Sequence, residues 1–241
     1  MSLSHLRSVL LEQGNSAKAA VLQRFFKTGP GEYAEGDLFL GVTVPVLRSL
    51  AQRYQSLELR GVLRLLKSRV HEERLLSLLI LILKYRAGDP QCKKKIYRVY
   101  LEHTAFINNW DLVDVTAKNI VGSFLKDKDR APLYKLARSG SLWERRIAIL
   151  ATFCFIEGHD FRDTLIIAEI LMADPHDLIH KAVGWMLREV GKRDLTGEER
   201  FLKKHCAAMP RTMLRYAIER FPEAKRQSYL HAGKSRAVSR D

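Results

Sequence analysis

Apolar residues recur along this chain at helical spacing, and strand-like alternation is almost absent. Segments 59–67, 71–85, 90–102, 109–125, 131–138, 142–156, 162–172, 176–190, 197–207 and 210–220 each carry an apolar face and are separated by short polar breaks. Upstream, Leu10, Val21, Leu22 and Phe25 belong to a first helical region. The turn-rich stretch TGPGEYAEGD, residues 28–37, then breaks the pattern. Pro45 suits the first turn of the next helix, which carries Val46, Leu47, Leu50 and Ala51. Helices joined by short loops pack antiparallel, so the spacing predicts an all-α fold, an α-solenoid of HEAT-like helical repeats with a basic concave face. The repeats share a pattern rather than identical residues. One domain is expected over residues 1–228, followed by a loose basic tail over 229–241, because Gly233–Asp241 holds little apolar surface.

Charge narrows the partners. The chain has 41 Lys+Arg against 27 Asp+Glu, a net +14. Such an excess favours a polyanion, since each neutralised phosphate releases counterions. Acidic lipids would also be attracted, but there is no basic amphipathic anchor segment and no run of about 18 apolar residues. The apolar run LLSLLILIL, residues 75–83, reads as a buried helix. No charged head precedes an apolar block at the N-terminus, so no signal peptide is expected and the location is expected to be cytoplasmic. Cys92, Cys154 and Cys206 are widely spaced without a CxxC pair, which argues against a disulfide framework or a cysteine zinc site. His176 and His180 form an H-x-x-x-H pair but lack the metalloprotease Glu, and read as a surface pair. His71-Glu72-Glu73 matches H-x-E, but no C-x-x-C follows. No nucleotide-binding or G-x-S-x-G motif is present. Neither a metal nor a cofactor is expected, and the protein is expected to be a monomer.

Three helix starts share unusual equipment. In NNWDLVD, residues 108–114, Asn108 or Asn109 can cap and Asp111 suits the first turn. Asp114 needs another reason: Trp110 and Asp114 are i and i+4 and share one face, with Lys118 one turn on. Lys118 reads as a phosphate contact or as an ion-pair partner of Asp114. In SLWERR, residues 141–146, Ser141 and Glu144 form a capping-box pattern. Arg145 and Arg146 point about 100° apart, so at least one is expected to be accessible. They are either two solvated arginines or a phosphate clamp. The third start is Asp174-Pro175, with Asp174 as cap and Pro175 at the first helical position. Lys181, Trp185, Arg188 and Lys192 then make one stripe of cation, ring, cation, cation, expected to be exposed or to line a charged groove. A Trp there either stacks on a sugar or base, or is half-buried beside snorkelling basic residues.

These residues resemble the HEAT-like-repeat alkylpurine DNA glycosylases, the AlkD family. The matching segments are FLGV (39–42) with Pro45 and Arg48, WDLVD (110–114), WERRIAIL (143–150) and KAVGWMLRE (181–189), in the family's order and spacing over roughly residues 5–225. The resemblance implies that Asp114 is the catalytic carboxylate and that Trp110 and Trp185 are aromatic walls. It implies that Arg146 approaches the DNA backbone, and that Phe25 stands where the family has a DNA-facing Tyr. Segment 29–37 is longer than in the best-known member. The implied activity is monofunctional hydrolysis of the N-glycosidic bond of positively charged alkylpurines, such as 3-methyladenine and 7-methylguanine, in duplex DNA without base flipping. Arg145, Arg188, Lys181 and Lys118 would be further DNA contacts. The alternative is a non-catalytic nucleic-acid-binding or scaffolding helical-repeat protein, since fold does not fix function.

Overall fold

The structure, a computed structural model, describes residues 2–235. Its contacts group the chain into two compact units, Met1–Thr116 and Ala117–Asp241. Every named element among the described residues is a helix, as the periodicity predicts.

In the first unit, the region read as one helical stretch is two helices, α1 (Leu3–Glu12) and α2 (Ser16–Phe25). Asn15 separates them because its side chain accepts the Lys18 N–H at 2.9 Å and so starts a new helix. α3 (Val44–Arg53) has Pro45 in its first turn, as expected. α4 (Leu59–Leu66), α5 (His71–Ala87), α6 (Pro90–Glu102) and α7 (Trp110–Thr116) follow. α3, α5 and α7 pack in series, and α5 also holds α4 and α6. α5 is the hub because its apolar run leaves almost no polar face. Leu76, Leu78, Ile80 and Leu81 are fully buried, each contributing roughly 1.5–3 kcal/mol relative to exposure.

The start of α5 is equally buried but polar. Glu72 accepts the backbone N–H groups of Leu40, Gly41 and Val42, and Glu73 takes a two-pronged contact from Arg7 at 2.9 and 2.7 Å. Arg74 reaches Asp37 and the Ser68 carbonyl. The strap that delivers these N–H groups is pinned by a lone parallel bridge between Leu38 and Val70. Gly41 in the strap has φ +79°, and a Cβ there would sit 2.2 Å from the Asn15 carbonyl oxygen. Only glycine fits both conditions.

The second unit opens with a π-helical turn, Ala117–Gly122, and α8 (Ser123–Leu125). An apolar face persists through this span, so periodicity alone reads it as ordinary helix. α9 (Ala131–Ala137), α10 (Leu142–Ala151), α11 (Phe153–Ile156), α12 (Arg162–Ile170), α13 (Asp177–Gly191), α14 (Leu195–His205), α15 (Arg211–Ala217) and α16 (Glu223–Ser235) follow. α10, α13 and α15 pack in series, the stacking expected of inner helices in a helical repeat. Residues 229–235, grouped with the tail on composition, continue α16, and Tyr229 is buried. Residues 236–241 lie outside the described residues.

Gly184 lets α13 meet α15: a Cβ there would lie 2.4 Å from the Met213 carbonyl oxygen and 2.5 Å from the Tyr216 Cβ. Gly184→Ala gains up to about 1 kcal/mol of helix propensity but must push a backbone away. Overpacking costs about 1–3 kcal/mol, so the variant is expected to unfold at lower urea than wild type. An unchanged or higher midpoint would show that the two helices separate without cost.

Glu198 in α14 is buried, and burial foremost, with the Glu199 charge beside it, pushes its carboxyl up to about 8. The folded chain therefore keeps a proton that the unfolded chain releases at an ordinary carboxylate pKa. That stability is fully present below the unfolded value and is lost as pH rises through about 8. Calorimetry across that window should show a falling Tm for wild type and a flatter profile for Glu198→Gln. Parallel profiles would contradict the assignment.

Candidate functional site

The helix start at NNWDLVD separates its two acids by role. Asn109 is fully buried, and its side-chain oxygen accepts the Trp110 N–H at 2.8 Å. Asp111 accepts the Leu112 N–H at 2.9 Å through one oxygen and meets His71 Nε2 at 2.8 Å through the other. Asp111 is thus the first-turn acid expected of it. Asp114 is half-exposed, one helical turn beyond Trp110 on α7. Its charge acts on Tyr100, whose hydroxyl is pushed up chiefly by complete burial and further by Asp114. Tyr100 also hydrogen-bonds Thr116 at 2.7 Å.

Trp110 is half-buried rather than a core filler, and it stands in a set of rings. Phe26 stacks on it with centroids 5.2 Å apart, and Phe25 meets it edge-on at 5.9 Å. Phe26 stacks in turn on Phe39 at 5.1 Å, and Phe39 on His71 at 4.6 Å. Phe25 is 60% exposed at the end of α2. Beside these rings lies a cavity of about 490 Å³, walled by Phe25, Phe26, Phe39, Leu47, His71 and Asp111 among others.

In the second unit the structure gathers Trp185, Lys118 and a residue that the sequence reading did not single out, Phe153. Phe153 meets Trp185 edge-on at 6.1 Å, and the Lys118 ammonium lies 4.6 Å from the Phe153 centroid while pairing with Glu157 at 2.5 Å. Trp185 is half-buried, and its indole N–H donates to Glu189 at 3.2 Å. Glu189, also not singled out, is buried and takes Lys192 at 2.6 Å and Arg193 at 3.3 Å. Burial pushes its carboxyl up, but Lys192, Arg193 and Trp185 together outweigh that and hold it below the usual carboxylate range.

The stripe on α13 is therefore not bare. Lys181 pairs with Asp177 at 2.7 Å, Arg188 with Glu219, and Lys192 with Glu189. The expectation that Arg145 or Arg146 stands accessible needs correction. Arg146 is 5% exposed and donates to the Leu178 carbonyl at 2.5 Å. The Arg145 side chain, 16% exposed, holds Asp174 at 2.6 Å and the carbonyls of Ser139 and Gly140 at 3.0 Å. Both guanidinium groups satisfy oxygens at the approach to α13, which fixes where they point.

Two caps also differ from expectation. α13 begins at Asp177, and His176 is its cap through Nδ1, which accepts the Leu178 N–H at 3.1 Å. Asp174 is occupied by Arg145 and by the His176 N–H instead. Ser141 caps α10 as expected, but the Glu144 carboxylate takes the Ser139 hydroxyl, which itself accepts the Ser141 N–H at 3.0 Å. The His176 and His180 rings both serve the backbone, His180 at the Asp174 carbonyl. No group of three or more metal-ligating side chains occurs among the described residues. No helix among them is long and apolar enough to cross a membrane.

One sequence signal did mark the missed residues of the first unit. HEER stands directly before the longest apolar run, with Val70 rather than a polar residue in the cap position. Four polar residues opening the most buried helix must find partners inside.

The model of the DNA alkylation repair enzyme family matches residues 6–221. No curated protein matches. Among solved structures, a predicted DNA alkylation repair enzyme from Enterococcus faecalis is 15% identical with a TM-score of 0.67, covering 88% of this chain and 98% of that one. AlkD2 from Streptococcus mutans is 16% identical with a TM-score of 0.55, covering 86% and 98%. At such identities the two structures show a shared fold alone, whereas the family model spans most of the sequence. The chain belongs to the DNA alkylation repair enzyme family.

Proposed function

We propose that this protein is a monofunctional DNA glycosylase that hydrolyses the N-glycosidic bond of positively charged alkylpurines, 3-methyladenine and 7-methylguanine, in duplex DNA. The observation that carries this reading is the pairing on α7 of a half-buried, ring-supported Trp110 with a half-exposed Asp114 one turn on. Alkylation at N3 or N7 makes the purine cationic and a good leaving group. The C1′–N bond breaks with its electrons going to the base, and positive charge develops on the sugar. Asp114 as carboxylate stabilises that charge and orients a water, whose oxygen bonds C1′ as one of its protons passes to the Asp114 carboxylate and then to solvent. Trp110, one turn from Asp114, packs on the sugar and excludes bulk water, and Trp185 offers a second aromatic surface in the other unit. Their electron-rich faces favour a cationic base by about 0.5–2 kcal/mol, which gives selectivity without reading base edges or extruding the base.

On this reading Lys118, Lys181 and Arg188 exchange Glu157, Asp177 and Glu219 for phosphate oxygens. The more exposed Lys118 and Lys181 pairs are worth only about 0–1 kcal/mol, so their exchange costs little, whereas Arg188, 17% exposed, gives up a more sheltered pair. Arg145 holds Asp174 and leaves only a small part of its side chain for a phosphate, Arg146 supports the first turn of α13 from inside, and Phe25 presents an apolar ring. The protein acts as a monomer in the cytoplasm, on nucleoid DNA. The paired state of these cations also favours a second reading, a non-catalytic binding or scaffolding protein in which carboxylates hold the basic face closed.

Single-turnover release of 7-methylguanine and 3-methyladenine from alkylated duplex DNA separates the two readings. Wild type is expected to release both. Asp114→Asn is expected to lose roughly a hundredfold or more in rate while binding DNA nearly as well. Wild-type-like excision by the variant would refute the role of Asp114. No release by either protein, with salt-sensitive DNA binding intact, would move the assignment to the second reading.

A further inference from the structure

We propose that His71 is a positioning residue that fixes Trp110 and the first turn of α7 through Asp111 and the Phe26–Phe39 stack. The proposal rests on the reading of Trp110 and Asp114 given above. His71 is 2% exposed and lies at the buried start of α5. Its Nε2 meets Asp111 Oδ2 at 2.8 Å, and its Nδ1 lies 3.6 Å from Asp37 Oδ2. Its ring stacks on Phe39 at 4.6 Å and leans on Phe26 at 5.0 Å, and Phe26 carries Trp110 on a stacked contact of 5.2 Å. One imidazole therefore reaches the helix start by two routes. One is ionic, through the residue next to Trp110; the other is aromatic, to the indole itself.

The charges favour the imidazolium. Asp111 on α7, Asp37 on the strap, and Glu72 and Arg74 on α5 are the charged groups near the ring. Glu72 is taken up by three backbone N–H groups. That leaves two carboxylates against Arg74, and a protonated His71 balances them. Burial lowers the His71 pKa, but the hydrogen bond to Asp111 and the nearby Asp37 carboxylate outweigh it, and the net shift is upward from 6.5. A hydrophobic residue would fill an aromatic slot at smaller desolvation cost. An imidazolium there does what a hydrophobe cannot: it grips the carboxylate beside Trp110 while packing flat on a ring.

The contribution is present below the unfolded pKa and is lost as pH rises through the raised folded value. Positioning losses of this kind cost roughly tenfold to a hundredfold in rate. The test uses the full chain with ¹⁵N-labelled tryptophan and histidine, the Trp110 indole being assigned with Trp110→Phe. In wild type the Trp110 indole signal is expected to shift with the same pH midpoint as His71, with Trp143 unmoved. In His71→Gln that shift should vanish, and single-turnover excision at saturating protein should fall roughly tenfold to a hundredfold with DNA affinity little changed. Asp111→Asn should cause a similar loss, and the double variant no further one.

A Trp110 signal that ignores His71 titration in wild type would overturn the proposal. So would wild-type excision by a folded His71→Gln. If His71→Gln does not fold, the wild-type titration decides. If wild type excises nothing, the same titration still decides the positioning role, and only the glycosylase reading falls.

Discussion

A row of four polar side chains, His71 to Arg74, is sealed under the first unit at the start of its most buried helix. Burying charge without partners costs several kcal/mol per group, so the fold must deliver a partner to each. It does so from four places: Arg7 on α1, the N–H groups of residues 40–42, Asp37 and the Ser68 carbonyl, and Asp111 on α7. The elements that look least regular in the unit are therefore the most constrained. The strap over α5 exists because Glu72 needs N–H donors, and Gly41 is glycine because the strap must pass close to Asn15. The same demand ties the Trp110 helix start to the core rather than leaving it at the end of a loop.

The second unit solves a related problem with its cations. Nearly every basic side chain on the face of interest has a carboxylate or carbonyl in hand, and Glu189 gathers three donors, one of them the Trp185 indole. Such pairs orient side chains at small cost when exposed and at greater cost when buried. Lys118 and Lys181 are exposed enough to trade partners, while Arg146 is not. A net charge of +14 thus overstates how much positive charge is immediately available to a polyanion. On the proposed function, phosphate would have to compete with these internal carboxylates for the cations.

Much of the helical framework was legible because burial against neighbours imposes a 3.6-residue period on composition. α5, α6 and α13 lie where that period places them, to within two residues, while the segment 142–156 read as one helix is α10 and α11. Trp110 and Asp114 could be paired because i and i+4 share a face on any helix. What escaped the sequence depends on contacts distant along the chain. HEER shows that buried partners are needed but not which ones, and the strap, Arg7 and Asp111 that supply them are distant in the chain. Arg146 reads as a surface cation until the Leu178 carbonyl is beside it. Glu189 and Phe153 matter through the Trp185 side chain, which lies one turn before the first and 32 residues beyond the second. The α13 cap slipped from Asp174 to His176 because Arg145 claims the aspartate.

The central claim, that a carboxylate on α7 serves hydrolysis of a cationic purine nucleotide, is met most directly by identifying the products. Wild-type protein would be incubated in ¹⁸O-water with a duplex bearing a single 7-methylguanine, and base and strand analysed by mass spectrometry. The account predicts free 7-methylguanine without label, and an unbroken abasic strand carrying one ¹⁸O at C1′. An intact modified strand, or a strand held covalently on the protein, would contradict it.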